Sequence, residues 1–238
     1  MKRTFNFASR NIKELVRDPL GAVFAILLPL FLLFIFRQFD IPNKAYLPEN
    51  FTPGIIVFAF SFLTLFESTL VSRDRTTALM TRLSVSPMKR AEYVLGYLLS
   101  TLPIALLQCL LITAAGVALG LPMRARVLLA IPAALPAAVL FALFGVFIGN
   151  IVSDKAAPGV SSVIVQLVCF TSGMYFPKEL VGKGFAAVCD LLPFGACLDL
   201  IRAAVSGGDV FSAADAAVLA AWLAATLAAA ALLRKKSI

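Results

Sequence analysis

Six apolar stretches run along the chain at 20–36, 51–71, 93–119, 127–151, 158–176 and 213–233, separated by short polar or broken segments. A hydrocarbon core about 30 Å thick takes roughly 20 apolar residues in an α-helix, and each stretch meets or approaches that length. Backbone N–H and C=O groups in lipid must be satisfied within their own segment, so each stretch is expected to be a helix. The pattern predicts an all-α integral membrane protein with six transmembrane helices. The first stretch is expected to be a true span, because it begins late and runs into "RQFD" instead of a small-residue cleavage site.

The polar segments carry patterns of their own. Ahead of the first span, Phe5, Ala8, Ile12, Leu15 and Val16 recur at helical spacing, with Arg10, Lys13, Glu14 and Arg17 on the remaining faces. That arrangement predicts an amphipathic helix over 1–19 lying in the membrane interface, ended by Asp18-Pro19, with the six-helix domain over 20–238. Between the second and third spans, "LVSRDRTTALMTRLSVSPMKRAEYVLGYLL" turns polar for about a helix's length. Asp74 reads there as an N-cap, Leu79, Met80 and Leu83 as a compact apolar patch, and Ser86-Pro87 as the cap of the next helix. A short helix results, presenting Arg75, Thr76, Thr77, Thr81 and Arg82 outward and offering the apolar trio to a groove on a soluble partner.

The stretch between the fifth and sixth spans, 175–212, is half apolar but broken by Pro177, Pro193 and Gly195. It predicts a pair of short re-entrant or interface-lying helices, since broken backbone at membrane depth must be buried in protein or line a cavity. Gly116/Gly120 and Gly145/Gly149 are small-xxx-small steps, expected first to pack helices within one chain and second to form a seam between two.

Composition agrees: 61% of the 238 residues are hydrophobic and 14% charged, against about half and a quarter in soluble domains. Charge sets the orientation. Lys2, Arg3, Arg10, Lys13 and Arg17, then Arg73, Arg75, Arg82, Lys89 and Arg90, then Arg234, Lys235 and Lys236 fall on one side of a six-span chain. The excess of Lys and Arg marks that side, with both termini, as cytoplasmic. The net charge of +8 is thus a topology signal and an attraction to anionic headgroups, and no nucleic-acid partner is expected.

Much chemistry is missing. The chain has no histidine, the commonest general base and metal ligand, and no G-x-x-x-x-G-K-[ST] loop to cradle a nucleotide. No enzyme, cofactor or metal is therefore expected in this chain. Glu67, near the cytoplasmic end of the second span, is either a functional acid or one that reaches the interface or pairs with a base such as Arg73. Gln108 and Gln166 are expected to bond between helices. Cys189 and Cys197 could pair in an oxidising compartment or remain thiols.

The whole chain resembles the permease subunits of type-2 ATP-binding-cassette exporters, which include drug-resistance, polysaccharide-export and lipid-export permeases. The likeness is carried by "VRDP" after the basic interface helix, "FTPGIIVFAF", "SRDRTTALMTRLSVSPMKRAEYVLGYLL", and "SGMYFP" with "LLPF". In the third stretch Arg75, Leu79, Arg82, Leu83, Pro87, Arg90, Glu92, Tyr93 and Gly96 look like the family's coupling segment, although Thr77 or Ala78 stands where a glycine is usual.

The resemblance implies a coupling helix carrying Arg75, Leu79, Met80, Arg82, Leu83 and Pro87 that sits in a cleft of a separate nucleotide-binding ATPase subunit, which holds ATP and Mg. It implies a second permease copy, as homo- or heterodimer, and an outer gate at Ser172, Gly173, Pro177 and Pro193. Arg10, Lys13 and Arg17 belong to the interface helix. Twenty Phe against one Trp and four Tyr suit an apolar or amphipathic cargo, or a face turned to lipid. Phe58, Phe62, Phe66, Gln166 and Phe170 are the candidate substrate path. The expected function is export of drug, antibiotic or lipid-like molecules across a bacterial cell membrane. A polysaccharide exporter of the same architecture and a channel or scaffold without ATP coupling are the alternatives.

Overall fold

Asp18-Pro19 divides two helices as the sequence predicts: the Asp18 carboxylate accepts a hydrogen bond from the Gly21 amide at 3.2 Å, and proline begins the next helix. The computed structural model describes residues 2–39, 46–79, 89–175, 182–208 and 210–233. Among them lie nine α-helices and no strand. In chain order these are α1 (Lys2–Val16), α2 (Pro19–Gln38), α3 (Pro48–Thr76), α4 (Arg90–Ala118), α5 (Ala130–Ile151), α6 (Ala157–Thr171), α7 (Lys183–Leu191), α8 (Pro193–Ser206) and α9 (Ala213–Leu233). A short 3₁₀ helix, Ala125–Leu129, leads into α5.

Among the described residues, four helices are long and apolar enough to cross a membrane: α3, α4, the 3₁₀ helix with α5, and α9. The pair α7 and α8 would make a fifth if counted together, but it bends by 78° at Leu192. The first predicted span is covered by α2, Pro19–Gln38, whereas the fifth is shorter than its apolar run suggested, with helix only over Ala157–Thr171. For α6 the cause is local: the backbone turns at Gly173, whose φ of 77° is one that side-chain-bearing residues rarely adopt.

The centre of the bundle is α3, packed against α2, α4, α5, α6 and α8. With 29 residues it spans about 43 Å, well beyond the hydrocarbon core. Ile55, Val57, Ala59 and Leu63 are shut away from the surface, as is Phe60. Its closest neighbour is α5, and the Gly145/Gly149 step is the reason. A Cβ on Gly145 would lie 2.5 Å from Glu67 Cβ and 2.8 Å from the Thr64 carbonyl; one on Gly149 would lie 2.7 Å from the Ser68 carbonyl. The step packs helices within the chain, the first of the two readings.

Polar groups at this depth pair across helices. Thr64 donates to the Phe141 carbonyl at 2.8 Å, Ser68 and Ser161 share a 2.6 Å hydrogen bond, and Gln108 donates to the carbonyls of Ala25 and Ala59. Gln166 departs from its expected interhelical role: it is exposed on α6 and has no hydrogen-bond partner among the described residues. Cys189 and Cys197 are both buried and are not joined by a disulfide.

Candidate functional site

Helix α3 ends at its C-cap Thr77, and α4 begins after its N-cap Lys89. The side chains around those two points form one connected frame. Asp74, in the last turn of α3, is almost wholly buried and accepts from Arg10 at 2.7 Å and from the Tyr97 hydroxyl at 2.8 Å. Burial works against the Arg10 charge, but the hydrogen bond and charge of Asp74 outweigh it and raise the Arg10 pKa. Asp74 is therefore not the N-cap that its place before a polar run predicts. It is a buried carboxylate inside a helix that continues to Thr76.

Aromatic packing reinforces the ion pair. Phe7 of α1 lies on Tyr93 and Tyr97 of α4, with ring centroids 6.1 and 5.0 Å apart. Gly96 makes room for it, since a Cβ there would sit 2.3 Å from the Phe7 ring. The amphipathic helix α1 is thus bolted to α4 through its apolar face and to α3 through Arg10.

Arg75 extends the frame to α5. Its guanidinium donates to the carbonyls of Gly149 at 3.0 Å and Val152 at 3.2 Å, which a helix C-terminus leaves without partners. The outward presentation expected of Arg75 is not observed, because those carbonyls draw it inward. Leu79 is half-buried and packs against the cluster of Phe7, Tyr93 and Tyr97. At the return point the Lys89 amide donates to the Glu92 carboxylate at 2.8 Å, which caps α4. Met80, Arg82, Leu83 and Pro87 lie outside the described residues. Lys13 is exposed on α1 and Arg17 is exposed just after it, 4.0 Å from Glu14.

Glu67 is fully buried and does not pair with Arg73. Thr101 and Ser100 of α4 donate to it, while its other oxygen has no partner among the described residues. The neighbouring Gly145 backbone and α4 close over it, so the carboxylate cannot reach the interface as a boundary acid would.

The candidate substrate-path residues are not gathered around one cavity. Phe58 is buried with its ring edge-on to Phe62 at 5.3 Å, Phe62 and Phe66 are half-buried, and Gln166 and Phe170 are exposed on α6. Phe66 lines a hollow of about 210 Å³.

At the opposite end of the bundle, Ser172 is buried and Gly173 turns the chain, while Pro193 opens α8 beside the bend. Pro177 lies outside the described residues. Arg202 of α8 joins the parts, donating to the carbonyls of Asn50 at 3.2 Å and Gly173 at 3.4 Å and pairing with Asp199 at 3.5 Å. Its sequence signal was its position nine residues after Pro193, three after the one acid of a mostly apolar helix, "PFGACLDLIRAAVS".

The fold is thus a helical membrane bundle with an amphipathic helix fastened to the helices that flank the polar segment between α3 and α4. The ABC-2 type transporter family model matches residues 3–205, and the chain belongs to that family. No curated protein matches it. Membership makes the chain the membrane domain of an ABC transporter and a multi-pass membrane protein. Such domains are typically non-catalytic and work with a separate ATPase partner.

Proposed function

We propose that the protein is the permease subunit of an ATP-driven exporter of hydrophobic or amphipathic molecules. Two copies form the path, and a separate ATPase subunit drives each. The reading gives the chain six spans in a bacterial cell membrane: α2, α3, α4, α5 with its 3₁₀ lead, α6, and α9. Both termini face the cytoplasm, and α7 with α8 forms a re-entrant outer gate.

The observation that carries this reading is the frame around 77–89. Arg10, Asp74, Tyr97 and Arg75 bind the ends of α1, α3, α4 and α5 to one another on both sides of that segment. A push on the segment would therefore move four helices together instead of bending one loop. Closure of the ATPase pair on ATP would tilt these helix ends, and the rigid length of α3 would carry the motion to the far end where Arg202 holds Gly173.

Everted membrane vesicles containing the chain and its native ATPase are expected to take up an amphipathic fluorescent dye only with ATP. An Arg82→Glu substitution should abolish uptake with the protein level unchanged. Uptake without ATP, or full uptake in the variant, would overturn the coupled-exporter reading.

A further inference from the structure

A cavity of about 210 Å³ opens at the α1 end of the bundle, between the last turn of α1, the start of α2, the end of α3 and the start of α6. Leu15, Leu65 and Phe66 supply apolar wall, and Glu14, Asp18 and Arg73 supply charge. Glu14 is ion-paired with Arg10 at 3.9 Å and Arg17 at 4.0 Å, contacts long enough to leave its carboxylate room for a further donor, and Asp18 holds the Gly21 amide. Arg73 forms no ion pair or side-chain hydrogen bond among the described residues. A cation and two carboxylates thus face one hollow without closing on each other. Beyond Leu15 and Phe66 lies a second cavity of about 100 Å³, lined by Ala25, Ile26, Ile104 and Leu107 and almost entirely apolar.

We propose that this hollow binds the headgroup of an aminophospholipid from the adjoining leaflet. The Arg73 guanidinium takes the phosphate and the Glu14 and Asp18 carboxylates take the primary ammonium. Both charge signs are present and separated, which matches a zwitterion and not a simple anion or cation. The guanidinium fork suits a phosphate diester, and an ammonium offers N–H donors to carboxylates. A choline headgroup has no such donor, and a glycerol headgroup carries no positive charge. The apolar cavity behind Phe66 favours a lipid over a free headgroup, because it offers cover to the start of an acyl chain. From the functional reading the inference takes only the placement of α1 at the membrane surface, and it does not depend on ATP coupling or the direction of transport.

The test is native mass spectrometry of the purified full-length chain in detergent, offered equal amounts of dioleoyl phosphatidylethanolamine, phosphatidylcholine and phosphatidylglycerol. Phosphatidylethanolamine should be retained about tenfold over the other two. Arg73→Gln and Glu14→Gln should each erase that preference. Arg124→Gln, at the opposite end beside Glu49, should keep it. Thermal melting in the same detergent should show all three variants folded, as expected for substitutions of exposed or half-exposed side chains. Equal retention of the three lipids, or a preference that survives both Arg73→Gln and Glu14→Gln, would overturn the site. Displacement of the lipid by free O-phosphoethanolamine at matched concentration would overturn the assignment to a lipid.

Discussion

Replacing Arg10 with alanine is expected to destabilise the protein by about 2–4 kcal/mol, more than any single change on the other side of its ion pair. The asymmetry follows from burial. Asp74 is 2% exposed and Arg10 36% exposed. Removing the guanidinium leaves a carboxylate that water cannot reach, with only the Tyr97 hydroxyl still donating to it. Removing the carboxylate by Asp74→Asn leaves a guanidinium that can turn to water, at a cost of about 1 kcal/mol. Denaturant titration of the purified chain should rank Arg10→Ala well below Asp74→Asn, and the Arg10→Met/Asp74→Asn pair should be more stable than the sum of its single changes. Equal losses, or no loss in Arg10→Ala, would remove the ion pair from the frame. The prediction also reaches the proposed function, since α1 would lose its hold on α3 beside the segment proposed to dock the ATPase.

Gly145→Leu is expected to prevent assembly of the bundle altogether. Even the first carbon of a side chain at that position would lie 2.8 Å from the Thr64 carbonyl oxygen and 2.5 Å from Glu67 Cβ. Overpacking a side chain in a core ordinarily costs about 1–3 kcal/mol, but here a backbone carbonyl of the central helix is in the way and cannot rotate aside. Relieving the clash means separating α3 from α5, which would also break the Thr64–Phe141 hydrogen bond. Size-exclusion profiles of detergent extracts should show Gly145→Leu aggregated and Gly159→Leu monodisperse, because nothing lies within 4 Å of a Cβ at Gly159. A monodisperse Gly145→Leu with unaltered melting would contradict the packing described.

The parts of the fold written in one local stretch were legible. Lipid demands long apolar helices, and α3, α4, α5 and α9 followed directly from their runs of residues. The interface helix showed in its spacing, the α1–α2 break in Asp18-Pro19, and the close approach of α3 and α5 in the Gly145/Gly149 step. What escaped was set by partners distant in the chain. Asp74 before "RTT" has the look of an N-cap, and only Arg10, 64 residues away, reveals it as a buried ion-pair partner. Arg75 reads as a loop cation until the end of α5 is placed beside it. Glu67 reads as a boundary acid because its donors, Ser100 and Thr101, lie on the next helix. The apolar run of the fifth span ran past Thr171, but the turn at Gly173 ends the helix, and Arg202 of α8 holds that turn.

The same contrast marks the candidate site. Its apolar trio and basic flanks were visible as a pattern that asked for a partner, whereas the frame on either side of the segment depends on four helices meeting. The candidate substrate path, chosen from aromatic supply along α3 and α6, had no such local rule behind it. A helix face turned to lipid and one turned to cargo are written in the same residues.

The central claim is that the segment between α3 and α4 docks an ATPase. The most direct measurement is gentle isolation of the intact chain from its native membrane, with identification of the soluble proteins that accompany it and assay of their nucleotide turnover. The account predicts a co-isolating protein with a Walker A loop and vanadate-sensitive ATP hydrolysis. Both should be lost from the Leu83→Glu variant while its melting in detergent is unchanged. Recovery of the chain alone without hydrolysis, or full retention of the ATPase by Leu83→Glu, would contradict it and leave a channel or scaffold built on the same helices.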